Sequence, residues 1–421
     1  MKKTLKALIG FTALLMFVAV ALDFGGCTKV EAPSLYNANL GNAPAPVVDS
    51  LTPSGGALAG IDTIVIYGKN FLADKDSNGV DFLINGKLAA SVDSKAGDSP
   101  ILSATTTRLV LKAPAISGDT VQILVWTLAS ADFSQMVNYQ LSAAIAPFSH
   151  LGIGEGAYGI AIGPDDSLYV SISNINLSGT KDEGIFQIGP VSGVRAATAY
   201  ALPTTGNVSW PDFKFGTGGY IYAVKGVRAI YRLAQGGSGT PWAQATGAAF
   251  SCLDFDPSGN MWVGGNNKSI YMVTPGAAVK SIPFTGNVRA IRYYNGDLYF
   301  AANVGGAASQ VFRAPIIGDS LGTPEQYFDL STDPTGGSNI YAITFSADGD
   351  MYAGTDSSDY LIVVHPGGTY EKPYSLYVSS GVLSSPCKSF SWYGTSLYAT
   401  TASGELLKVL ARKQGAPYYG F

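Results

Sequence analysis

One short pattern recurs six times after residue 148, and it constrains the fold more than any other feature of the chain. "ITFSADGDMYAGT" (343–355) is matched by "IAIGPDDSLYVSI" from Ile160, "FKFGTGGYIYAVK" from Phe213 and "LDFDPSGNMWVGG" from Leu253. "IRYYNGDLYFAA" from Ile291 and "KSFSWYGTSLYATT" from Lys388 complete the set. Each copy reads apolar-x-apolar, a turn, then an apolar residue followed by Tyr or Trp. The ring positions are Tyr169, Tyr222, Trp262, Tyr299, Tyr352 and Tyr398, spaced by 53, 40, 37, 53 and 46 residues. A further strand-like run follows every copy ("GIFQIG", "AIYRLA", "SIYMVT", "QVFRAP", "YLIVVH", "ELLKVL"), and for most a fourth. Four short antiparallel strands in a unit of roughly 45 residues cannot bury their apolar faces alone, but six such units can do so by closing into a ring.

The repeats resemble the NHL-type and related six-bladed β-propellers over 148–421. That resemblance implies a fold and leaves the activity open. Upstream, "PVVDSLTPSGGALAGIDTIVIYGKNF" begins at Pro46, and "VDFLINGKLA", "TTRLVLKAPA" and "DTVQILVWT" follow. Pro46, Ser50-Leu51-Thr52-Pro53, Gly60, Ile64–Ile66, Gly68-Lys69-Asn70-Phe71 and Pro114 resemble the IPT/TIG family of immunoglobulin-like domains over 46–140. Alternating short strands between Gly/Pro turns give a β-sandwich independently of that resemblance. The expected fold class is therefore all-β, a sandwich followed by a six-bladed propeller, with 141–147 as a linker.

Residues 1–26 read as an export signal: Lys2, Lys3 and Lys6, an apolar run from Ala7 to Leu22, then "DFGGC". The run is short for a membrane span. Gly25-Gly26-Cys27 resembles a bacterial lipobox, which implies acylation of Cys27 and a lipid anchor at the outer membrane or cell surface. Residues 27–45, rich in Pro, Asn and Gly, read as a tether. Losing residues 1–26 removes three Lys and one Asp and moves the formal charge from −4 to −6. A mildly acidic chain without basic runs argues against nucleic-acid partners and against electrostatic docking on anionic lipid.

The remaining cysteines, Cys252 and Cys387, are expected at one shared inner-strand position in opposite blades. Gly159, Asp212, Ala290 and Ala342 would occupy that position elsewhere. The thiols would then be free, buried and too far apart to pair.

Several motifs match chemical signatures in the wrong context. "GEGAYG" (154–159) has the glycine spacing of a dinucleotide loop but is followed by a strand, where the fingerprint needs a helix. "GDSLG" (318–322) lies between two strand-like runs, and the only histidines are His150 and His365, so no nucleophile elbow or triad follows. "DKDSNG" places Asp74, Asp76 and Asn78 as in the opening of a calcium loop, but position twelve is Asn85. A solvated turn is the competing reading. Metal-dependent propeller hydrolases of the SMP-30/gluconolactonase type hold a divalent ion with acidic and amide side chains. Here Tyr341 and Ser251 stand where that family offers Asn and Asp, leaving Asp212 as the lone carboxylate, with capping of backbone N–H groups as its plainer role. No cofactor is expected.

Loops entering the inner strands, or joining second to third strands, collect on one propeller face. They place Glu155, Tyr158, Trp210, Asp212, Asn266, Asn267, Arg289, Tyr341, Asp356 and Lys388 there. Flat rings stack on sugars or anchor protein partners, and amides and carboxylates direct hydrogen bonds. Trp210 in "NVSWPDF" is the leading ligand candidate, against the alternative of a lid over the seam between the first two blades. Trp262 occupies a ring position and belongs to the core. The expected role is non-catalytic recognition of an extracellular glycan or envelope protein, the alternatives being a structural part of an envelope complex or a metal-dependent hydrolase.

Overall fold

A computed structural model describes residues 43–93, 101–116, 118–148, 151–174, 181–202, 209–266, 268–334 and 336–421. Cys27, the export signal, the tether up to residue 42, His150 and Asn267 lie outside them.

The sandwich pairs two antiparallel-dominated sheets. One orders Val47–Thr52, Thr63–Lys69, Arg108–Lys112 and Ile101–Thr105. The other is built on Asn78–Ile84, Gly118–Thr127 and Val137–Ser142, flanked by Lys87–Asp93 and Ala57–Leu58. Alternation along Thr63–Lys69 sends Ile64 and Ile66 into the shared core with Val80, Phe82, Ile123 and Val125.

The six repeats form six separate sheets, the blades of a propeller. Their innermost strands are Glu155–Ile162, Asp212–Phe215, Phe250–Phe255, Asn287–Tyr294, Ile340–Phe345 and Cys387–Tyr393. The reason for the ring residue is visible in the packing. None of the six is more than 6% exposed, and most meet an aromatic side chain on the inner strand of the following blade. Tyr169 meets Phe215 edge-on at 4.6 Å, Tyr222 meets Phe255 at 5.7 Å and Tyr352 meets Trp392 at 5.2 Å. Tyr299 meets Phe345 at a tilt, at 4.7 Å. In these four blade pairs the second apolar residue of the triplet is thus the receptor for the previous blade's ring, each contact worth ~0.5–1.5 kcal/mol beyond the area it buries. Glycine follows where blades approach closest: a Cβ on Gly354 would lie 2.2 Å from the carbonyl oxygen of Cys387.

The segment 141–147 is not a linker. Val137–Ser142 is a sandwich strand throughout, and Ile145–Pro147 pairs antiparallel with Leu407–Val409 as the outermost strand of the sixth blade. The ring is therefore closed by a strand from before its first repeat. Only three residues long, that strand carries too little alternation to be read from sequence. The sandwich is fixed to the same blade region. Tyr377, on the short helix Ser375–Ser379, donates to the carbonyl of Ala59 at 2.8 Å and accepts from the N–H of Ala144 at 2.5 Å. Arg412 pairs with Asp62 at 2.6 Å.

Cys252 and Cys387 are free and buried, but they do not share a position. Blades four and six turn on two residues, Asn295-Gly296 and Gly394-Thr395, where blades three and five use five-residue loops. In blade six this shorter hairpin puts Ser389 level with Cys252, while Cys387 sits one layer out, level with Phe250, Val288 and Ile340. Burial pushes both thiols up, that of Cys387 to about 12, which leaves them inert apolar fillers.

Candidate functional site

Five of the six inner strands break register near their start, and the break builds the site. The register shifts fall between Ala157 and Ile160, Phe250 and Cys252, Val288 and Ala290, Ile340 and Ala342, and Cys387 and Ser389. A β-bulge leaves its extra residue outside the ladder and re-aims its side chain. The bulged residues are Tyr158 (with Gly159), Ser251, Arg289, Tyr341 and Lys388, and all five of these side-chain-bearing residues line one cavity of about 880 Å³ at the propeller hub. Blade two has no such shift, and Asp212 opens its inner strand at the same cavity.

The chain's own C-terminus closes the far end of this cavity. Residues 413–421 cross the face where the inner strands end. Ala416 donates to the carbonyl of Phe345 at 2.9 Å and Gly415 to that of Gly394 at 3.1 Å. Arg292 donates to the carbonyl of Pro417 at 3.0 Å, and the Tyr418 hydroxyl donates to the carbonyl of Phe215. Tyr419 packs edge-on against Tyr293 at 5.1 Å. Ala416 and Tyr418 form the cavity floor. Just above it, Arg292 pairs with Asp254 at 2.8 Å, and Asp254 also accepts from the N–H of Tyr293 at 2.8 Å.

At the open end the electrostatics differ. The Lys388 ammonium stands 2.9 Å from the centroid of the Tyr341 ring, and the Arg289 guanidinium lies 5.6 Å from the same centroid. Arg289 donates to Asn303 Oδ1 at 2.5 Å. Among the described residues neither cation has a carboxylate within ion-pair distance. Burial first, and the like charge of Arg289 second, push the Lys388 ammonium down to about 8, against the opposing pull of Asp356. Asp356 itself holds the platform. Its oxygens accept from the N–H groups of Ser338 and Asn339 at 2.7 and 2.8 Å, from the Asn339 side chain at 2.7 Å and from the Tyr341 hydroxyl at 3.2 Å. Burial raises the Asp356 carboxyl, but these donors outweigh it and hold the group below its ordinary value.

The structure brings together Tyr158, Asp212, Asn266, Arg289, Tyr341 and Lys388; Asp356 supports them from behind. Two expected ligand residues are misplaced. Trp210 is 1% exposed, packed edge-on against Tyr231 at 5.2 Å in the core between blades one and two, so it is a seam residue without a surface for ligand. Glu155 is outside the cavity lining, its carboxylate taken by Arg195 at 2.6 Å and by the N–H of Gly152 at 2.5 Å. Asp212 lines the cavity and also braces the framework. It pairs with Lys214 at 2.9 Å and accepts from the N–H of Leu253 at 2.9 Å. Burial raises its carboxyl, with Lys214 pulling the other way.

The calcium-like stretch is a structural turn. Asp74 caps the single turn Lys75–Ser77, accepting from the Asp76 N–H at 3.1 Å and the Ser77 hydroxyl at 2.9 Å. Asn78 is fully buried and spends its amide on Leu72 and Asp74. Asp74 thus spends both carboxylate oxygens on donors within its own turn. Among the described residues no three His, Cys, Asp or Glu side chains are grouped to hold a metal. "GEGAYG" runs into the first inner strand, "GDSLG" turns a hairpin pairing Ile316 and Ile317 with Leu321 and Ser320, and His365 is bound to Asp350 at 2.9 Å. Sequence reasoning missed Lys214, Arg292, Thr344 and Ser391. All four are the middle residue of an apolar-x-apolar triplet, and all reach the cavity, so the x of each triplet was the available signal.

Comparison with known proteins bears directly on the sandwich. Residues 46–141 match the IPT/TIG domain family model. No curated protein matches the chain. Among solved structures it is similar to an auxiliary nutrient binding protein from Bacteroides ovatus, at 13% identity and a TM-score of 0.46, covering 87% of this chain and 98% of that one. A protein of unknown function from Bacteroides thetaiotaomicron is 14% identical with a TM-score of 0.44, covering 89% and 99%. A calcium-binding regucalcin from Agrobacterium tumefaciens is 14% identical with a TM-score of 0.48, covering 66% and 97%. The protein is thus an all-β chain, an immunoglobulin-like sandwich joined to a β-propeller.

Proposed function

We propose that this chain is an exported protein, anchored by lipid at Cys27, that recognises an extracellular glycan without catalysing a reaction on it. The carrying observation is the hub cavity of about 880 Å³, walled by bulged polar and aromatic residues and floored by the tail. Its volume falls within the range of small-molecule and oligosaccharide sites. A recess of this shape admits a saccharide terminus or short segment more readily than the surface of a folded envelope partner. Tyr158 and Tyr341 supply aromatic rings to the wall, Lys388 covering one face of Tyr341, and Asn266, Ser251 and Asp212 offer directed hydrogen bonds. The sandwich, bonded to the propeller through Tyr377 and Arg412, would carry the open face as one unit above the tether.

A glycan array probed with the purified full chain tests this reading. The expected result is saccharide binding that Tyr341→Ala reduces by tenfold or more, on the order of the stacking contribution of a buried aromatic. Absence of binding across the array, together with capture of a stoichiometric envelope protein, would overturn it. The anchor is tested separately by the intact mass of the mature protein, which should begin at Cys27 and carry added acyl groups.

A further inference from the structure

We infer that the hub cavity selects an acidic saccharide, one whose carboxylate or sulfate group is held by Lys388 and Arg289 beside the Tyr341 ring. This rests on the glycan reading above and narrows its substrate class.

The cavity's charge is opposite in sign to that of the protein. The chain carries a formal −4, yet the charged residues lining the hub are Lys214, Arg289, Arg292 and Lys388 against Asp212 alone. Two of the four cations are already matched: Lys214 by Asp212 and Arg292 by Asp254. The other two are at the open end, displayed by bulges on the inner strands of blades four and six, which flank the blade-five strand that carries the Tyr341 ring. The charge of Asp356 reaches Lys388 and offsets part of the repulsion between the two cations, but its oxygens are held by four donors and form no ion pair with either cation. Two like charges within Coulombic reach of each other, partly desolvated and with no carboxylate at ion-pair distance among the described residues, cost free energy in the empty protein. An anion placed between them removes that cost, so the site prefers a charged ligand over its neutral counterpart. Guanidinium and ammonium together suit a carboxylate or sulfate oxygen set, through charge-assisted bonds roughly twice as strong as neutral ones. The Tyr341 ring fixes where the attached sugar can lie.

The ammonium of Lys388 also links binding to protons. With its ordinary value displaced to about 8 by burial and Arg289, part of the population is neutral in the empty site at pH 8, and an anionic ligand recharges it.

The test uses the full chain on an array holding neutral, uronate-containing and sulfated oligosaccharides, followed by titration calorimetry of the best ligand and its neutral analogue. Acidic members should bind and neutral analogues bind roughly tenfold to a hundredfold more weakly. Lys388→Met should remove that preference while Lys388→Arg keeps it. Binding at pH 8, measured in buffers of different ionisation enthalpy, should take up a fraction of a proton that vanishes at pH 6 and in Lys388→Met. Neutral glycans bound as tightly as acidic ones, with Lys388→Met unaffected, would overturn the inference and leave the glycan reading standing. No saccharide bound at all would remove both.

Discussion

The two ends of the hub are built from the same six inner strands and do opposite things with charge. At the floor, Arg292 and Asp254 neutralise each other, the tail supplies the carbonyl of Pro417, Tyr418 bonds to the carbonyl of Phe215 and Tyr419 packs on Tyr293. At the mouth, bulges lift Arg289, Tyr341 and Lys388 out of the ladder, and the cations find a ring where the floor supplies a carboxylate. The difference follows from desolvation. A fully buried ion must be paired, whereas a half-buried one at an opening can wait for a partner that arrives from solution. Charges at the floor hold the fold, and charges at the mouth are available for binding.

Mutations at the two ends should therefore separate stability from recognition. The largest effect belongs to Arg292→Met, which strands the Asp254 carboxylate at zero exposure; a loss of about 3–5 kcal/mol is expected by chemical denaturation. Truncation after Gln414, which keeps the pairing of Lys413 with Asp348 and Asp350, should cost less, about 1.5–3 kcal/mol for the lost packing of Tyr418. It should also speed labelling of Cys252 by small thiol reagents, because that cysteine lines the cavity the tail closes. Tyr352→Leu, which keeps apolar bulk but ends the edge contact with Trp392, should cost about 0.5–1.5 kcal/mol with ligand binding unchanged. The smallest effect is at the mouth. A lysine whose folded value is depressed binds fewer protons folded than unfolded from about pH 8 upward, so stability attributable to it rises as pH increases through that window. Stability measured between pH 8 and 9.5 should rise more steeply in the wild type than in Lys388→Met, and Lys388→Met should not be less stable at pH 7.

Much of the architecture was legible because packing between blades imposes it locally. Every blade must offer a ring to its neighbour and an apolar pair to receive one, so Tyr169, Tyr222 and Tyr352 carry the ring's periodicity into the sequence. Features that depend on partners far away in the chain left no such trace. Trp210 precedes Pro211 outside any alternation and reads as a loop, yet the seam against Tyr231 buries it. Cys387 appeared level with Cys252 until the two-residue turn Gly394-Thr395 shifted the register of its strand. The tail "GAPYYGF" has no period at all, and its role as a floor is set by carbonyls on blades two, five and six. Tyr158, Arg289, Tyr341 and Lys388 were placed on one face from loop position, and all four line the hub cavity. That they converge on a cavity follows from bulges, which insert one residue without altering the apolar pattern on either side and so stay invisible in it.

A crystal structure of the full chain with the best-binding oligosaccharide tests the central claim most directly. The account predicts saccharide density in the hub, stacked on Tyr341 within hydrogen-bonding reach of Lys388 and Arg289, with the tail still in place beneath it. Density on the sandwich or on the outer rim of a blade, with the hub holding only solvent, would contradict it.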